Sequence, residues 1–438
     1  MPAGVNQDVA RVGCLVAGEW RTDGPVAERV GPWTRAVVSA ARQAGPDDVA
    51  DALAYARGAA RAVARMSPAA RAAVLDRAAE RVHGRRDELA RLLALELGKP
   101  VKDGRGEVDR VADTFAVAGA EARRVGGEVL PVAGWPRGVG NTALTHRAPV
   151  GVALSITPFN APANLLAHKL AASFAAGNTT LVKPPPQAPA TSAALVALLL
   201  DCGLPPEAVQ VLHGDGAVGA ALCAAPEVGV ISFTGSAATG AAVARAAGAK
   251  RLVLELGGNA ATIVCADADV AAAARVCAVT GYSNSGQSCI SVQRVYVERT
   301  RYDEFVEVFT REVEKLAVGD PLAPATDVGS MVDDDAAERV VAWAREAAAA
   351  GATITTGGRR EVASMAPTHL RVPVGTTVTF VNHPGNAGER GVTQFFEGLF
   401  DVRLAPGQSF TFTFTRAGEY FFNDPGSPRS TGKIEVLP

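Results

Sequence analysis

The chain has 438 residues, of which 20% are charged, and its formal net charge is −2. This length allows two or three domains with a substantial core, and the nearly balanced charge indicates neither a nucleic-acid partner nor an acidic membrane surface. No apolar run reaches the length of a membrane-spanning helix, and residues 1–8 lack the pattern of a signal peptide. The six cysteines are scattered without metal-type spacing. We therefore expect a cytoplasmic protein without a metal site.

The first predicted elements are helices rich in alanine, arginine and leucine between residues 47 and 98. Asp47 and Asp48 are suited to cap the first of them. Ser67 followed by Pro68 marks the start of the next, because serine caps helices well and proline is tolerated in the first turn. The N-terminal part is therefore predicted to be mainly helical.

From residue 150 onward, short apolar strands alternate with helices. The predicted strands are 151–157, 179–183, 209–212, 228–233 and 252–254, and the helices between them are 190–202 and 239–249. Residues 261–358 continue in the same style, with helices at 268–280, 301–316 and 335–350. Continuous apolar strands alternating with helices predict an α/β fold with a parallel sheet covered on both faces.

The composition changes near residue 367, after which nine of the 15 phenylalanines lie. Phe410, Phe412 and Phe414 alternate with threonines, which is the period of a half-buried strand. Strands are predicted at 374–381, 409–415, 419–422 and 433–436, with turns between them and no helix. The tail is therefore predicted to be a small all-β unit.

Two residues at the ends of predicted elements have the chemistry of a reacting pair. Cys289 lies among small and polar residues, unlike a core thiol, and Glu255 lies between a strand and two glycines. Taken alone, an inert cysteine opening a strand at 290–297 and a surface carboxylate are ordinary explanations. A thiol nucleophile with a nearby carboxylate base instead indicates covalent catalysis.

Four separated motifs occur in an order and spacing that resemble the NAD(P)-dependent aldehyde dehydrogenases over about residues 10–367. They are Thr157-Pro158-Phe159-Asn160, Lys183-Pro184-Pro185, Phe233-Thr234-Gly235-Ser236 followed by Thr239-Gly240, and the Glu255 and Cys289 segments. The resemblance implies a Rossmann-type cofactor domain at 10–126 and 148–254 and an oligomerisation arm at 127–147. It also implies a catalytic thiol domain at 255–367, which is incomplete.

The resemblance implies oxidation of a small aldehyde to its acid with NAD or NADP. Cys289 adds to the aldehyde, hydride leaves to the nicotinamide, and the resulting thioester is hydrolysed. Asn160 and the backbone N–H of Cys289 stabilise the oxyanion of the thiohemiacetal. Glu255 is the general base for the thiol, for the hydrolytic water, or for both.

The cofactor is expected at a strand-to-helix turn, where backbone N–H groups suit a pyrophosphate. The turn lacks the G-x-G-x-x-G spacing and is instead similar to the family's own variant. Lys183 is placed to bond ribose hydroxyls or a 2′-phosphate, and Pro186 stands where NAD-selective members often have a glutamate, so both cofactors stay open. The cofactor-binding residues that the resemblance implies are Ile156, Thr157, Phe159, Lys183, Gly235, Ser236, Thr239, Gly240 and Leu256.

The resemblance to this family stops near Ala366-Pro367-Thr368. The family continues into a Glu-x-Phe-Gly-Pro motif, whose glutamate holds the nicotinamide ribose, and later into a strand used for subunit pairing. The chain contains neither. A homo-oligomer is therefore possible but lacks its usual pairing strand, and the arm at 127–147 is expected to have an exposed edge.

From about residue 368 the tail resembles a cupredoxin-like β-sandwich, on the segments 372–382, 404–410 and 417–420. A blue-copper site needs two histidines and a cysteine, usually with a methionine. The tail has His369 and His383 but no cysteine or methionine. Type 1 copper is therefore not expected, and His383 is interpreted as a loop residue.

Three origins of the join stay open: a natural fusion, a decayed dehydrogenase, or a recombined or misassembled reading frame. The leading interpretation is an active aldehyde dehydrogenase, because Cys289, Glu255 and Asn160 are all present. The alternative is a catalytically impaired remnant whose β-module binds a partner or ligand, because the cofactor-ribose glutamate is missing.

Overall fold

The computed structural model describes residues 9–359, 369–382, 389–394, 398–424 and 427–438, without the side chains of residues 369 and 427–431. The chain forms two compact units. The first contains the chain through residue 29 and residues 37–330, and the second contains residues 30–36 and 331–438.

The first unit begins with short strands and a layer of four helices. The strands are β1 Ala10–Val12, β2 Cys14–Val16, β3 Glu19–Arg21, β4 Val26–Val30 and β5 Val37–Arg42. The helices are α1 Pro46–Arg65, α2 Pro68–His83, α3 Arg86–Leu97 and α4 Val101–Arg124. The start predicted at Ser67 is confirmed, since its hydroxyl accepts the Ala70 N–H at 3.1 Å. Asp48 does not stand at the N-cap of α1; it lies one turn inside, where its carboxylate accepts the Gly45 N–H at 2.8 Å.

The middle of the chain alternates strands and helices, as predicted. Its elements are β6 Val129–Leu130, β7 Ala143–Leu144, β8 Val152–Ile156, α5 Pro162–Ala175, β9 Thr179–Lys183, α6 Pro189–Asp201, β10 Val209–Val211, α7 Gly216–Ala224, β11 Val228–Thr234, α8 Ala237–Ala247 and β12 Arg251–Glu255. β6 and β7 pair as a separate antiparallel hairpin.

The central sheet has the strand order β12-β11-β8-β9-β10-β2-β3. Its first five strands are parallel, and β2 and β3 extend the edge in antiparallel fashion. The chain passes from β8 to β9 and β10 on one side and returns to β11 and β12 on the other. The carboxyl ends of β8 and β11 therefore frame the point where the strand order reverses, which is where open α/β sheets bind ligands.

The middle strands β8, β9 and β10 are buried on both faces, as strands of parallel sheets are, whereas alternate residues of the edge strand β12 are exposed, with Val253 51% exposed. Leu181 packs with α1, α7 and α8 on one face, whereas its neighbour Val182 packs with α2, α4, α5 and α6 on the other. This alternation follows from the pleat, which points successive side chains to opposite sides. The predicted run of continuous apolar strands is thereby explained.

Helices α5 and α6 start without a local capping side chain, because alanine stands at both N-caps. For α5, the Glu107 carboxylate of α4 accepts the N–H groups of Ala163 (2.9 Å) and Asn164 (3.1 Å). Glu96 of α3 does the same for the first turn of α6. The N-terminal helical layer therefore supplies the carboxylates that the sequence next to each helix lacks.

The last part of the first unit is a smaller α/β segment. It contains β13 Ala261–Val264, α9 Val270–Tyr282, β14 Arg294–Val297 and α10 Tyr302–Glu314. β13 and β14 form a parallel pair whose inner face packs on α9 and α10 around Phe305. Its outer face is open, with Ile263 71% and Tyr296 55% exposed.

The second unit contains α11 Asp334–Ala349 and a β-rich tail. The tail strands are β15 His369–Pro373, β16 Thr377–Val381, β17 Arg390–Gln394, β18 Asp401–Leu404, β19 Ser409–Thr413, β20 Gly418–Asp424 and β21 Ser427–Leu437. They form a five-stranded sheet, β15-β21-β20-β17-β18, and an antiparallel pair, β16-β19.

The four predicted tail strands are present, although β21 is longer than predicted and β15, β17 and β18 were missed. Phe414 and Phe422 are buried in the tail core, with Phe410 and Phe412 packed against it. In β19 the half-buried Phe410 and Phe412 alternate with exposed Ser409, Thr411 and Thr413, which confirms the predicted period of a half-buried strand. His383 and residues 366–368, where the join was predicted, lie outside the described residues.

Candidate active site

Four of the predicted site segments meet at the carboxyl edge of the central sheet. Ile156 is paired with Lys183 on one side and with Phe233 on the other, and Thr234 is paired with Glu255. The Gly235 N–H donates to the Glu255 carbonyl at 3.0 Å. Parallel pairing in register thus aligns residues that are far apart in sequence.

The start of α8 forms the turn expected to hold the cofactor. Ser236 is its N-cap, and its hydroxyl accepts the Thr239 N–H at 3.1 Å. A Cβ added at Gly240 would lie 2.6 Å from Leu256 Cδ2, so glycine lets the helix pack closely on the end of β12. The segment has the backbone donors of a helix N-terminus at the point where strand order reverses.

Lys183 is 8% exposed, and its ammonium donates to the Pro184 carbonyl at 3.3 Å. Burial lowers the pKa of Lys183 to about 8, with Asp215 opposing the shift. His213 is also buried, and burial, reinforced by the charge of Lys183, lowers its pKa to about 4. A compact cation with spare donors therefore lies beside a neutral imidazole.

Several buried polar atoms at this edge have no hydrogen-bond partner among the described residues. They are Thr157 Oγ1, Asn160 Oδ1, His213 Nε2 and Thr234 Oγ1. Buried polar groups in proteins are normally paired with protein, water or ligand. Their concentration along the ends of β8, β10 and β11, together with Lys183 and the α8 turn, fits a polar dinucleotide.

Asn160 lies in the half-buried loop between β8 and α5. Its backbone carbonyl accepts two hydrogen bonds, from Lys99 Nζ at 2.6 Å and from Asn284 Nδ2 at 3.2 Å. Within the described ranges its own Nδ2 makes no hydrogen bond. The side-chain amide proposed to bind an oxyanion is thus free to do so, while the backbone that carries it is fixed.

The loop after α9 carries the candidate thiol and has a strained backbone. Asn284, Ser285 and Gly286 have φ values of 51°, 59° and 74°. Two of the three are not glycine, and such conformations cost on the order of 1–3 kcal/mol each. Asn284 Nδ2 holds the loop to Asn160, and the Ser285 hydroxyl donates to the Gly329 carbonyl at 2.9 Å. The surrounding structure therefore imposes this loop shape.

Cys289 is an exposed free thiol in a turn, and strand β14 begins only at Arg294. The strand expected at 290–297 therefore begins four residues later, and Cys289 does not open it. Four other cysteines are buried, and burial raises the pKa of each thiol: Cys14, Cys202, Cys223 and Cys277. These four are suited to packing and not to reaction.

The segment after Glu255 lies against the thiol loop, since a Cβ built on Gly258 would stand 3.6 Å from the Cys289 carbonyl oxygen. The Glu255 side chain is exposed. In the described part of the chain no hydrogen bond joins its carboxylate to Cys289. The structure thus brings the two segments together without direct contact between the two reactive groups.

Lys169 of α5 is a residue that the motif-based reasoning missed. It is 8% exposed, and its ammonium donates to the Ser232 hydroxyl at 2.9 Å. Burial lowers the pKa of Lys169 to about 8, and the charge of Glu255 opposes this shift. The available signal was a lysine as the one Lys, Arg, Asp or Glu residue of the mainly apolar helix Pro162–Ala175, because a buried lysine normally needs a partner.

The architecture and site together define a dinucleotide-dependent enzyme with a cysteine near its cofactor edge. The sequence profile of the aldehyde dehydrogenase family matches residues 20–375. A 3-sulfolactaldehyde dehydrogenase from Priestia aryabhattai is 41% identical over 363 residues, which cover 83% of this chain and 76% of the relative.

Solved structures agree. Aldehyde dehydrogenase 21 from Physcomitrella patens, in complex with the reaction product succinate, has a TM-score of 0.77 at 33% identity and covers 83% of this chain and 76% of its own. An NADP-dependent glyceraldehyde-3-phosphate dehydrogenase from Bacillus halodurans C-125, complexed with NADP, has a TM-score of 0.77 at 32% identity. The match covers 82% of this chain and 76% of that one.

The chain belongs to the aldehyde dehydrogenase family. It is an oxidoreductase that converts an aldehyde to its acid with NAD or NADP. The predicted family, activity and cofactor class are therefore confirmed. Among the described helices, none is long and apolar enough to cross a membrane.

Proposed function

We propose that Cys289 is the nucleophile of this oxidation, Asn160 the oxyanion donor and Glu255 the general base. The observation that carries the proposal is the shared hydrogen bond between the two loops. Asn284 of the thiol loop donates to the carbonyl of Asn160 itself, at the carboxyl edge where Glu255 also ends its strand. Three sequence segments are thereby held in one place.

The protein's part in the reaction follows from these groups. Cys289 Sγ bonds to the aldehyde carbon while its proton leaves to Glu255, directly or through water. The carbonyl oxygen becomes an oxyanion, which Asn160 Nδ2 and the Cys289 N–H stabilise. Hydride leaves the thiohemiacetal carbon, for which bound NAD+ or NADP+ would supply the acceptor, and a thioester on Cys289 remains. Glu255 releases its first proton to solvent and then takes a proton from the water that attacks the thioester carbon. The C–S bond breaks, the acid leaves, and the Cys289 sulfur departs as a thiolate that is reprotonated before the next cycle.

Lys169 is proposed to assist Glu255 electrostatically. Support comes from the buried Lys169 ammonium, whose pKa the charge of Glu255 raises against the effect of burial.

The residues proposed to hold the cofactor are those named from the sequence. The N-terminus of α8, with Gly235, Ser236, Thr239 and Gly240, faces a pyrophosphate, and Lys183 faces the adenosine ribose or its phosphate. Ile156, Thr157, Phe159 and Leu256 surround the crevice. Free hydroxyls at Thr157 and Thr234 support this arrangement.

A single assay tests the catalytic assignment. The protein is incubated with small aldehydes and NAD+ or NADP+, and the absorbance of the reduced cofactor is followed. We expect turnover that Cys289→Ala abolishes. Cofactor binding without turnover across a broad aldehyde panel would instead favour the impaired remnant whose β-module serves binding.

We further propose that the substrate is a small aldehyde that carries an anionic group. Support comes from the relatives, since one is named for 3-sulfolactaldehyde and another was solved with succinate. Succinate semialdehyde and butanal form a matched pair with and without a carboxylate. A higher kcat/KM for the first is expected, and equal values would contradict the anionic preference.

The tail is proposed to be a cupredoxin-like sandwich without type 1 copper. Its two sheets and aromatic core support this, as does a hydrogen bond from the Tyr420 hydroxyl to the Arg416 carbonyl at 2.9 Å. Such a tyrosine, bonded to backbone just upstream, recurs in Greek-key sandwiches. Addition of Cu(II) is expected to give no intense blue band; such a band would contradict the proposal.

The division into a cofactor domain (10–126 and 148–254), an arm (127–147), a thiol domain (255–367) and the tail (368–438) is also proposed. The hairpin in the arm is open to solvent, with Val129 72% and Leu144 71% exposed, which supports a role in self-association. A cytoplasmic location is supported by the six free cysteines.

A further inference from the structure

A lysine and two acidic residues lie around the start of α4, on its inner side: Lys99, Asp103 and Glu107. Lys99 lies two residues before the helix and is 5% exposed, and Glu107 is fully buried. Asp103 and Glu107 are four apart in the helix and share one face, and Lys99 bonds Glu107, so the three form a single polar stripe. Buried charges are expensive to desolvate, which calls for a reason why these are kept.

Glu107 divides its two oxygens between two partners. Oε1 accepts the N–H groups of Ala163 and Asn164, which open α5 just after Asn160. Oε2 accepts from Lys99 Nζ. The carboxylate therefore fixes the end of the loop that carries Asn160, and it also holds Lys99 in place.

Lys99 makes a second bond, to the Asn160 carbonyl at 2.6 Å. That carbonyl also accepts from Asn284 Nδ2 of the thiol loop. One backbone oxygen therefore joins the helical layer, the loop of the oxyanion donor and the loop of the thiol.

Asp103 lies in the first turn of α4, one turn before Glu107, and faces the thiol loop. Burial raises the pKa of its carboxyl group, while the Asn284 N–H, the charge of Lys99 and the Ser283 hydroxyl oppose the shift. The same stripe thus touches both catalytic loops.

A capping role alone does not account for the lysine. A glutamate suffices to cap α5, whereas a buried ion pair is often no more stabilising than apolar residues of the same size. Lys99 adds a hydrogen bond to the backbone of Asn160, whose side chain is proposed to bind the oxyanion.

We propose that Lys99 and Glu107 are positioning residues that set the Asn160 amide relative to the Cys289 loop. This rests on the proposed role of Asn160 as oxyanion donor. A misplacement of about 1 Å at a reacting centre can cost about 100-fold in rate. We expect the loss in kcat, because the oxyanion exists only after attack.

The test uses the double variant Lys99→Met/Glu107→Gln. Glutamine keeps a carbonyl oxygen for the two N–H groups of α5, and methionine fills the space of the lysine stem, so no unpaired buried charge is left. We expect kcat to fall by roughly 10- to 100-fold with a smaller change in aldehyde KM. A double variant with the kcat of the parent would overturn the proposal.

The matched control is Arg86→Met/Asp109→Asn, which removes a half-exposed ion pair between α3 and α4. We expect its kcat to equal that of the parent. An equal loss of kcat in this control would show that any perturbation of α4 slows the enzyme, and it would contradict a specific positioning role.

A double-mutant cycle with Asn160→Ala separates this inference from the proposed function. If Lys99 acts through Asn160, the Lys99→Met/Glu107→Gln loss shrinks to less than about threefold in the Asn160→Ala background. If the fold losses in kcat of the double variant and of Asn160→Ala multiply instead, the positioning role is refuted, while the proposed catalytic role of Asn160 still stands. Unchanged kcat in Asn160→Ala by itself would instead refute the catalytic role of Asn160.

Should the double variant fail to fold, Asn284→Gly probes the same carbonyl from the thiol side. Glycine keeps the positive φ without strain and deletes the second donor to the Asn160 carbonyl. We expect a lower kcat that is again non-additive with Asn160→Ala. Parent-like kcat, or multiplying losses, would argue against the shared carbonyl as the link.

Discussion

The central sheet and the β13–β14 pair, both in the first unit, differ in how completely they are covered. The middle strands of the sheet are packed on both faces, and Leu154 among them is fully buried. The β13–β14 pair has one packed face, and Ile263 on the other is 71% exposed. The edge proposed to bind the cofactor is therefore built on a well-packed support, whereas Cys289 lies in a loop held by a few polar contacts. Stability and reactivity are expected to respond to different regions.

The largest expected effect is on turnover, in the thiol region. Cys289→Ala removes the nucleophile, and we expect kcat to fall by at least about 1,000-fold. Because the side chain is exposed, the melting temperature and cofactor affinity should stay at parent values. Calorimetry and fluorescence titration check these two points, and residual turnover close to the parent's would contradict the assignment.

The next largest effect is expected on the free energy of unfolding, from a substitution in the central sheet. Leu154→Ala opens a cavity in a strand covered on both faces, and we expect a loss of about 2–5 kcal/mol in the free energy of unfolding. Urea denaturation measures it. A loss below about 1 kcal/mol would show that the sheet is less tightly packed than described.

A smaller effect concerns the pH dependence of NADP+ binding. Lys183 is protonated below its pKa of about 8 and loses its charge above it. Affinity for the 2′-phosphate should therefore fall as pH rises, by up to about tenfold one unit above the pKa. Fluorescence titration of the parent and of Lys183→Met measures this. A fall that persists in Lys183→Met would assign it to another group.

The smallest effect is expected on the open face. Ile263→Ala removes an exposed side chain, and we expect the free energy of unfolding to change by no more than about 0.5 kcal/mol. The difference between the losses for Leu154→Ala and Ile263→Ala measures how differently the central sheet and the outer face of the β13–β14 pair are covered. A loss at Ile263 as large as that at Leu154 would mean that another surface covers this face in solution.

Local patterns in the sequence were enough to predict the five parallel strands of the central sheet, but not its antiparallel edge strands β2 and β3. Apolar runs ended by glycine or proline located β8, β9 and β11 within about two residues, because parallel strands are apolar on both faces. Motif spacing pointed to the Cys289, Glu255 and Asn160 segments, which the structure brings to one edge.

What the sequence could not supply were contacts between distant segments. Glu107 caps a helix 56 positions away, and Lys99 bonds a carbonyl 61 positions away. Neither partner is marked by its neighbours in sequence, since alanine stands at the N-cap of α5. The spacing of Lys99, Asp103 and Glu107 was visible, but only tertiary packing shows that Lys99 and Glu107 are buried.

During oxidation the aldehyde carbon is expected to become bonded to Cys289. Mass spectrometry of the peptide that contains Cys289, after rapid quenching of enzyme with aldehyde and oxidised cofactor, detects this bond. We expect the acyl mass on this peptide when both are present, and no acyl mass without cofactor or in Cys289→Ala. Turnover of the aldehyde with no acyl adduct on Cys289 at any quench time, or with the adduct on another residue, would contradict the account.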